Sequence, residues 1–309
     1  MDCSCCASSC CSCGNDDEEA PERLPPASDA PLTPTRWLDD KPRRLEHPRR
    51  FVGIEIELAS YRATPALAYA CRTWSVHRVH DASLPTTGCE LVTAPARGAA
   101  LAEMVRALCA AVEESDGNVN ASCGLHVHVD ARDLRHHDMR RVLMLYLSVQ
   151  DALYAMQPPS RRAAGSMCAP LNPATWDPRA WPASPSGSRD KMLASMYGEK
   201  KQARYSRREK YASIRYHGIN VHSWLYRGTL EFRMHSGTTQ AEKILPWATL
   251  CAALVCRAVS ARERDIPRSG QPLSDQVALL LDIAPTTAVK DYVTQRIARF
   301  AGNETDGGD

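Results

Sequence analysis

The sequence lacks a dominant charge: 38 Lys and Arg stand against 36 Asp and Glu, for a formal net charge of +2. That near-balance excludes the bulk electrostatic attraction by which a chain gathers nucleic acid or a membrane surface, so no specific nucleic acid is expected as a partner. The chain also lacks an uninterrupted apolar run of about 18 residues. At its start there is no basic segment leading into an apolar one. Neither a membrane span nor secretion is therefore expected, and a cytoplasmic location is. No internal repeat of fixed period is present. What the sequence does hold is ample core material, with 44% hydrophobic residues over 309 positions, enough for one large domain or two small ones.

Cysteine is plentiful but unevenly placed. Of 13 cysteines, Cys3, Cys5, Cys6, Cys10, Cys11 and Cys13 crowd into the first thirteen residues. These thiols could wrap a soft metal such as zinc or copper(I), but they lack the spacing of a zinc ribbon. Cys71, Cys89, Cys109, Cys123, Cys168, Cys251 and Cys256 are scattered, mostly in apolar segments, and read as reduced core thiols. Residues 1–47 add the acidic run Asp16-Asp17-Glu18-Glu19 and a Pro-rich stretch with few large apolar side chains. They are expected to form a disordered tail.

From residue 48 the hydrophobic periodicity organises the chain. Strands are expected at 51–60, 76–80 and 88–93, and a short helix at 65–74. Leu101, Met104, Val105, Leu108, Ala111 and Val112 repeat at helical spacing up to the turn cluster Ser115-Asp116-Gly117-Asn118. A second amphipathic helix is expected over 138–156. The stretch 157–189 is rich in Pro, Ser, Ala and Arg, carries Trp176 and Trp181, and reads as an insertion or lid. The basic series that follows (Lys200, Lys201, Arg204, Arg207, Arg208, Lys210, Arg215) fits a solvated helix face better than a nucleic-acid grip. Thr239 and Glu242 stand at capping-box spacing before an apolar helix at 244–259 that contains Pro246. One further helix is expected at 288–300, ahead of a polar tail. The expected domains are thus a tail (1–47), a catalytic domain (48–262) with an insertion at 157–189, and a C-terminal helical extension (263–309).

Three strands share an unusual design. In Thr229-Leu230-Glu231-Phe232-Arg233-Met234-His235, strict alternation would set Leu230, Phe232 and Met234 on one face and Thr229, Glu231, Arg233 and His235 on the other. Gly53-Ile54-Glu55-Ile56-Glu57-Leu58 pairs Glu55 with Glu57, and Leu125-His126-Val127-His128-Val129-Asp130 aligns His126, His128 and Asp130. An ordinary half-exposed strand carries mixed Thr, Lys, Ser and Gln outward, whereas these faces carry Glu, His, Asp and Arg, the groups that hold divalent cations and phosphates. Carboxylates at i and i+2 of a strand lie roughly 7 Å apart, close enough to serve two adjacent magnesium ions. Arg233 is placed to meet charge developing on a transferred phosphoryl group. His128 or His126 could be ligand, base or phosphate contact. Glu90 is a further candidate ligand.

These motifs carry a resemblance. Phe51-Val52-Gly53-Ile54-Glu55-Ile56-Glu57, Asp81-Ala82-Ser83 followed by Gly88-Cys89-Glu90-Leu91-Val92-Thr93, Gly124-Leu125-His126-Val127-His128-Val129, Arg215-Tyr216-x-Gly218-x-Asn220 and the run from Gly228 to Thr238 together resemble the amidoligase family, over about residues 48–260. That family is placed with the glutamine synthetase and glutamate-cysteine ligase superfamily. The resemblance implies an α+β fold, with a curved antiparallel sheet of glutamine synthetase-like catalytic type and helices on its outer face. It also implies ATP-dependent joining of a carboxylate to an amine through an acyl phosphate, with Mg2+ or Mn2+. Carried over residue by residue, it makes Glu55, Glu57, Glu90 and Glu231 metal ligands and His126 or His128 a metal or phosphate ligand. Arg233 becomes the phosphate clamp, acting with Glu231 and His128 in catalysis, while Arg215 and Asn220 line the nucleotide and substrate side. The absence of a Walker-type phosphate loop agrees with a superfamily in which metals hold the triphosphate.

Carboxylate and amine substrates are the expected partners, including a peptide or cell-wall-type compound; the sequence leaves oligomeric state open. A metal-dependent hydrolase is the competing enzyme, because His-x-His with carboxylates also holds zinc or iron, although four carboxylates against two histidines favour a hard cation. A non-catalytic metal-binding module is the competing class, and the intact Glu and Arg positions at every motif argue against it.

Overall fold

Six strands form one sheet: β1 (Val52–Leu58), β2 (His77–Val79), β3 (Cys89–Val92), β4 (Gly124–Asp130), β5 (Ile219–Asn220) and β6 (Thr229–Ser236). In this computed structural model, residues 50–162, 167–182, 185–197 and 212–301 are described. The cysteine-rich tail and the basic series as far as Lys210 lie outside them. The strand order is β2-β3-β1-β4-β6-β5, every pair is antiparallel, and the sheet is open, with β2 and β5 at its edges.

One face of this sheet is apolar because alternate residues of its central strands are. Ile54, Ile56 and Leu58 on β1, Leu125, Val127 and Val129 on β4, and Leu230, Phe232 and Met234 on β6 are each at most 1% exposed. Burying each such side chain is worth about 1.5–3 kcal/mol, so this face is the main stabilising layer. Helices cover it. The helices of the described residues are α1 (Pro65–Thr73), α2 (Gly98–Glu114), α3 (His136–Ala155), α4 (Pro185–Tyr197), α5 (His222–Arg227), α6 (Ala241–Ser260), α7 (Leu273–Ile283) and α8 (Thr287–Ala301). Helix α6 packs directly on β4 and β1 and against α2, α3 and α8. Its buried Ile244, Trp247, Ala248, Cys251, Leu254, Val255 and Ala258 recur three and four apart, the spacing of a single helix face.

Several expectations change here. Helix α6 starts without the predicted capping box: its N-cap is Gln240, which makes no side-chain cap, and Thr238 Oγ1 accepts from the Gln240 backbone N–H instead. By length and composition alone α6 is apolar enough to cross a membrane, although Lys243 and Arg257 interrupt its apolar run; here it lies against the sheet. The described part of 157–189 packs onto the rest of the fold. Trp176 and Trp181 are buried, and the Gln150 side chain makes two 2.9 Å hydrogen bonds with the Leu171 backbone. The C-terminal extension contains two described helices, not one, and Leu280, Ile283, Val289 and Val293 join the same hydrophobic core as β1 and β4.

The largest departure is in β6. Val127 pairs with Phe232 but Leu125 pairs with His235, so Arg233 and Met234 together oppose the single residue His126. This β-bulge shifts the alternation by one residue. His235 is therefore carried to the helix-covered face, away from Arg233. There it is fully buried beside Trp247, with Nδ1 2.6 Å from Ser236 O and Nε2 2.7 Å from Tyr292 Oη. A carbonyl can only accept, so Nδ1 carries the proton and Nε2 accepts from the tyrosine hydroxyl. Burial, then Arg296, pushes the His235 pKa down to about 3.

Candidate metal centre

The opposite face of the sheet gathers the polar residues in three rows set by strand register. Glu57 faces Glu90, Glu55 faces His126, and His128 faces Glu231, which has Asn220 on its far side. Because directly paired residues of an antiparallel ladder project to the same side, the rows form one cluster. Glu55, Glu57, His126, His128, Glu231 and Arg233 are all at most 8% exposed. Buried charges at this density persist only when they hold one another or a bound ion.

Glu55 lies at the centre. Its Oε2 is 3.1 Å from His126 Nδ1 and its Oε1 is 3.1 Å from His128 Nε2. His126 also approaches Glu57 Oε1 at 3.4 Å through Nε2, and Glu231 Oε1 at 3.6 Å and Glu90 Oε1 at 3.9 Å through Nδ1. The Glu57 carboxylate accepts a 2.5 Å hydrogen bond from the Gly124 backbone N–H. A Cβ at position 124 would stand 2.9 Å from His126 Nε2 and 3.3 Å from the Arg161 guanidinium, so a larger residue there would press on the imidazole. Arg233 forms an ion pair with Glu231 through Nη1, and its Nε points to Met167 O at 3.4 Å.

The electrostatics follow from this crowding. Burial pushes the Glu55 carboxyl up, but His128 and His126 outweigh it and hold it well below the usual carboxylate range. Burial raises Glu231 too, and Arg233 followed by His128 brings it down to about 2. Burial and the neighbouring Glu55, Glu57 and Asp81 push the Glu90 carboxyl up to about 9.

The donor set fits a hard divalent cation. Three groups have donor atoms within 4.8 Å of one another: Glu55, Glu90 and His126; Glu55, His128 and Glu231; and Glu57, Asp81 and Glu90. Carboxylate oxygens dominate each, as magnesium and manganese prefer. His128 Nε2 supplies a second sign: it is buried and close to Glu55 and Glu231, yet has no hydrogen bond among the described residues. An unbonded buried imidazole nitrogen, set between two carboxylates and aligned with neither, suits a cation held among all three.

The sequence-predicted residues divide clearly. Glu55, Glu57, Glu90, His126, His128, Glu231 and Arg233 converge. Asn220 supports the cluster from behind: its amide donates to Glu231 Oε2 at 2.6 Å and its Oδ1 accepts from the Ser223 backbone N–H at 3.2 Å. Arg215 is half-buried and lies over the Tyr216 ring; burial pushes the Asp81 carboxyl up, but the Ser83 hydrogen bonds, then His126 and Arg215, hold it below its ordinary value. Asp130 stays outside the groups, paired with Arg132 at 2.8 Å.

Sequence reasoning gave no role to Asp81, Arg227 or Arg161. Asp81 accepts a 2.7 Å hydrogen bond from the Ser83 backbone N–H, a turn that the Asp-x-Ser spacing signals and that turns its carboxylate toward Glu57 and Glu90. Arg227 ends α5, which Gly228 terminates in the left-handed conformation, φ 78°, and its Nη1 lies 3.5 Å from Glu55 Oε1. Arg161 is buried and donates to the Ser122 and Cys123 carbonyls at the start of β4.

Comparison with known proteins matches residues 68–255 to the family described as "Putative amidoligase enzyme". No curated protein is matched by the chain. Among solved structures, one described as "Crystal structure of novel glutamine synthase homolog" aligns with 13% identity over 90% of this chain and 73% of that chain, with a TM-score of 0.39.

Proposed function

Because the chain belongs to the amidoligase family, we propose that it is an ATP-dependent ligase joining a carboxylate to an amine through an acyl phosphate. The observation that carries this reading is the convergence of Glu55, Glu57, Glu90, His126, His128 and Glu231 on one sheet face, with the Arg233 guanidinium bonded to Glu231 beside them. Mg2+ or Mn2+ held by these side chains would offset the charge of the nucleotide phosphates and polarise the phosphoryl group to be transferred. Glu55, with an oxygen toward each histidine, would be shared between two cation positions.

The chain's own cations do the rest. Arg233 is fixed by Glu231 through Nη1 and leans on Met167 O through Nε, so its Nη2, which makes no hydrogen bond among the described residues, would meet a phosphoryl oxygen. Such a fixed donor needs no reorganisation as charge develops in the transition state. Arg227, beside Glu55, adds a second guanidinium on the same face. In the reaction, a substrate carboxylate oxygen attacks the γ-phosphorus of ATP and ADP leaves. The amine then attacks the acyl carbon, phosphate leaves, and the amine nitrogen releases a proton. A peptide or cell-wall-type compound would meet this site as the carboxylate or the amine partner.

The test is ADP release by the purified full chain with Mg2+, screened against pools of amino acids and peptides. Release that requires both a carboxylate and an amine, and that Glu231→Gln abolishes, is the expected result. Failure to release ADP with any pool, together with failure to bind ATP in the presence of Mg2+, would overturn the reading.

A further inference from the structure

His126 and His128 stand two residues apart on one strand face, but their surroundings differ. Both nitrogens of His126 face carboxylates, Nδ1 toward Glu55 and Nε2 toward Glu57. His128 meets a hydroxyl instead: its Nδ1 is 2.9 Å from Thr229 Oγ1, and Thr229 Oγ1 is 2.9 Å from Ser223 Oγ. The Ser223 backbone N–H donates to Asn220 Oδ1, and the Asn220 amide donates to Glu231 Oε2. A chain of hydrogen bonds thus leaves His128, passes behind the sheet face through Thr229, Ser223 and Asn220, and returns to the carboxylate that His128 faces across the ladder.

We infer that Thr229, supported by Ser223, is a positioning residue that holds His128 as the Nδ1–H tautomer, so that the Nε2 lone pair is the donor presented to a cation between Glu55 and Glu231. The geometry separates the two possible tautomers. A proton on Nε2 would have no acceptor in line, because that nitrogen forms no hydrogen bond although Glu55 Oε1 is 3.1 Å away. A proton on Nδ1 points at a hydroxyl that can accept it and still donate onward to Ser223. A ligating imidazole whose second nitrogen is held by a polar neighbour is the usual means of fixing its orientation and tautomer. The inference rests on the proposed cation-binding function of this face and assigns His128, rather than His126, a second support of this kind.

The experiment uses the full chain and Mn2+ as the probe. Thr229→Val keeps the branched shape and removes the hydroxyl, whereas Thr229→Ser keeps the hydroxyl and removes the methyl. Mn2+ affinity by titration calorimetry is expected to fall about 10- to 100-fold in Thr229→Val and to recover in Thr229→Ser. Nitrogen-15 NMR of the metal-free chain is expected to show His128 as the Nδ1–H tautomer in the unsubstituted protein, and as a mixture in Thr229→Val. An Nε2–H tautomer in the unsubstituted chain would overturn the inference. So would equal Mn2+ affinity in the valine variant, even while the cation-binding reading stands. An unsubstituted chain that binds no Mn2+ would overturn that reading, and this inference with it.

Discussion

The two faces of the sheet solve opposite problems with the same residue types, His235 of β6 on one and His128 of β4 on the other. On the helix-covered face, His235 has both nitrogens satisfied, by Ser236 O and Tyr292 Oη, and is neutral and inert. On the other face, His128 has one nitrogen satisfied, by Thr229, and one left without a partner. The first arrangement is what a buried polar group needs in order to be tolerated in a core. Trp247 Nε1 in the core also makes no hydrogen bond among the described residues, so the unbonded His128 nitrogen points to a cation because Glu55 and Glu231 flank it. Burial does not separate the two histidines, since both are enclosed; the carboxylates around His128 do.

That comparison predicts that the faces fail differently. Phe232→Ala, on the apolar face, should destabilise the fold by about 3–5 kcal/mol, read as a lower urea midpoint, because the fully buried ring leaves a cavity under the helices. A loss below 1 kcal/mol would show that this layer is looser than its burial implies. Arg233→Lys, one residue along, should leave the midpoint nearly unchanged and lower turnover about 100-fold, or about 2.7 kcal/mol in the barrier, by removing the planar fork. Wild-type turnover in that variant would make Arg233 a mere partner of Glu231.

Glu57→Gln should be milder: the amide keeps an oxygen for the Gly124 N–H but loses a charged ligand, so Mg2+-nucleotide affinity should fall about tenfold in calorimetry with the fold intact. A further test concerns His235 and pH. The His235 pKa is depressed in the fold to about 3 from an ordinary value of 6.5, so the unfolded chain binds the extra proton. Its contribution is complete above pH 6.5 and is lost as the pH falls toward 3. His235→Gln should therefore flatten the unfolding profile in that window relative to the parent chain. An unchanged slope would mean that the ring is not held neutral.

Much of this was legible in the sequence because a strand has a period of two. Glu55, Glu57, His126, His128, Glu231 and Arg233 were placed on one face by alternation alone, and the register of β1, β4 and β6 brought them together. His235 was misplaced because a bulge has no compositional mark: nothing in Arg233-Met234-His235 announces that two residues will share one partner. Asp81 went unassigned because loop geometry has no period, although its Asp-x-Ser turn was visible. Helix α7 went unassigned, and no side chain caps its start; Gln276 ties it to α3 through Asp151 at 2.8 Å.

The bulge also behaves as a phase shift in a periodic signal. Ahead of it, residues of odd number on β6 point toward the cluster; beyond it, parity is reversed, and an odd-numbered histidine faces the helices. The number of residues between Glu231 and Gly237 is therefore as much a determinant of the site as their identity. A single deletion there would leave each neighbouring residue unchanged in kind yet move those beyond it to the wrong side of the sheet, so a substitution in this short run alters one position whereas a change in length displaces all that follow.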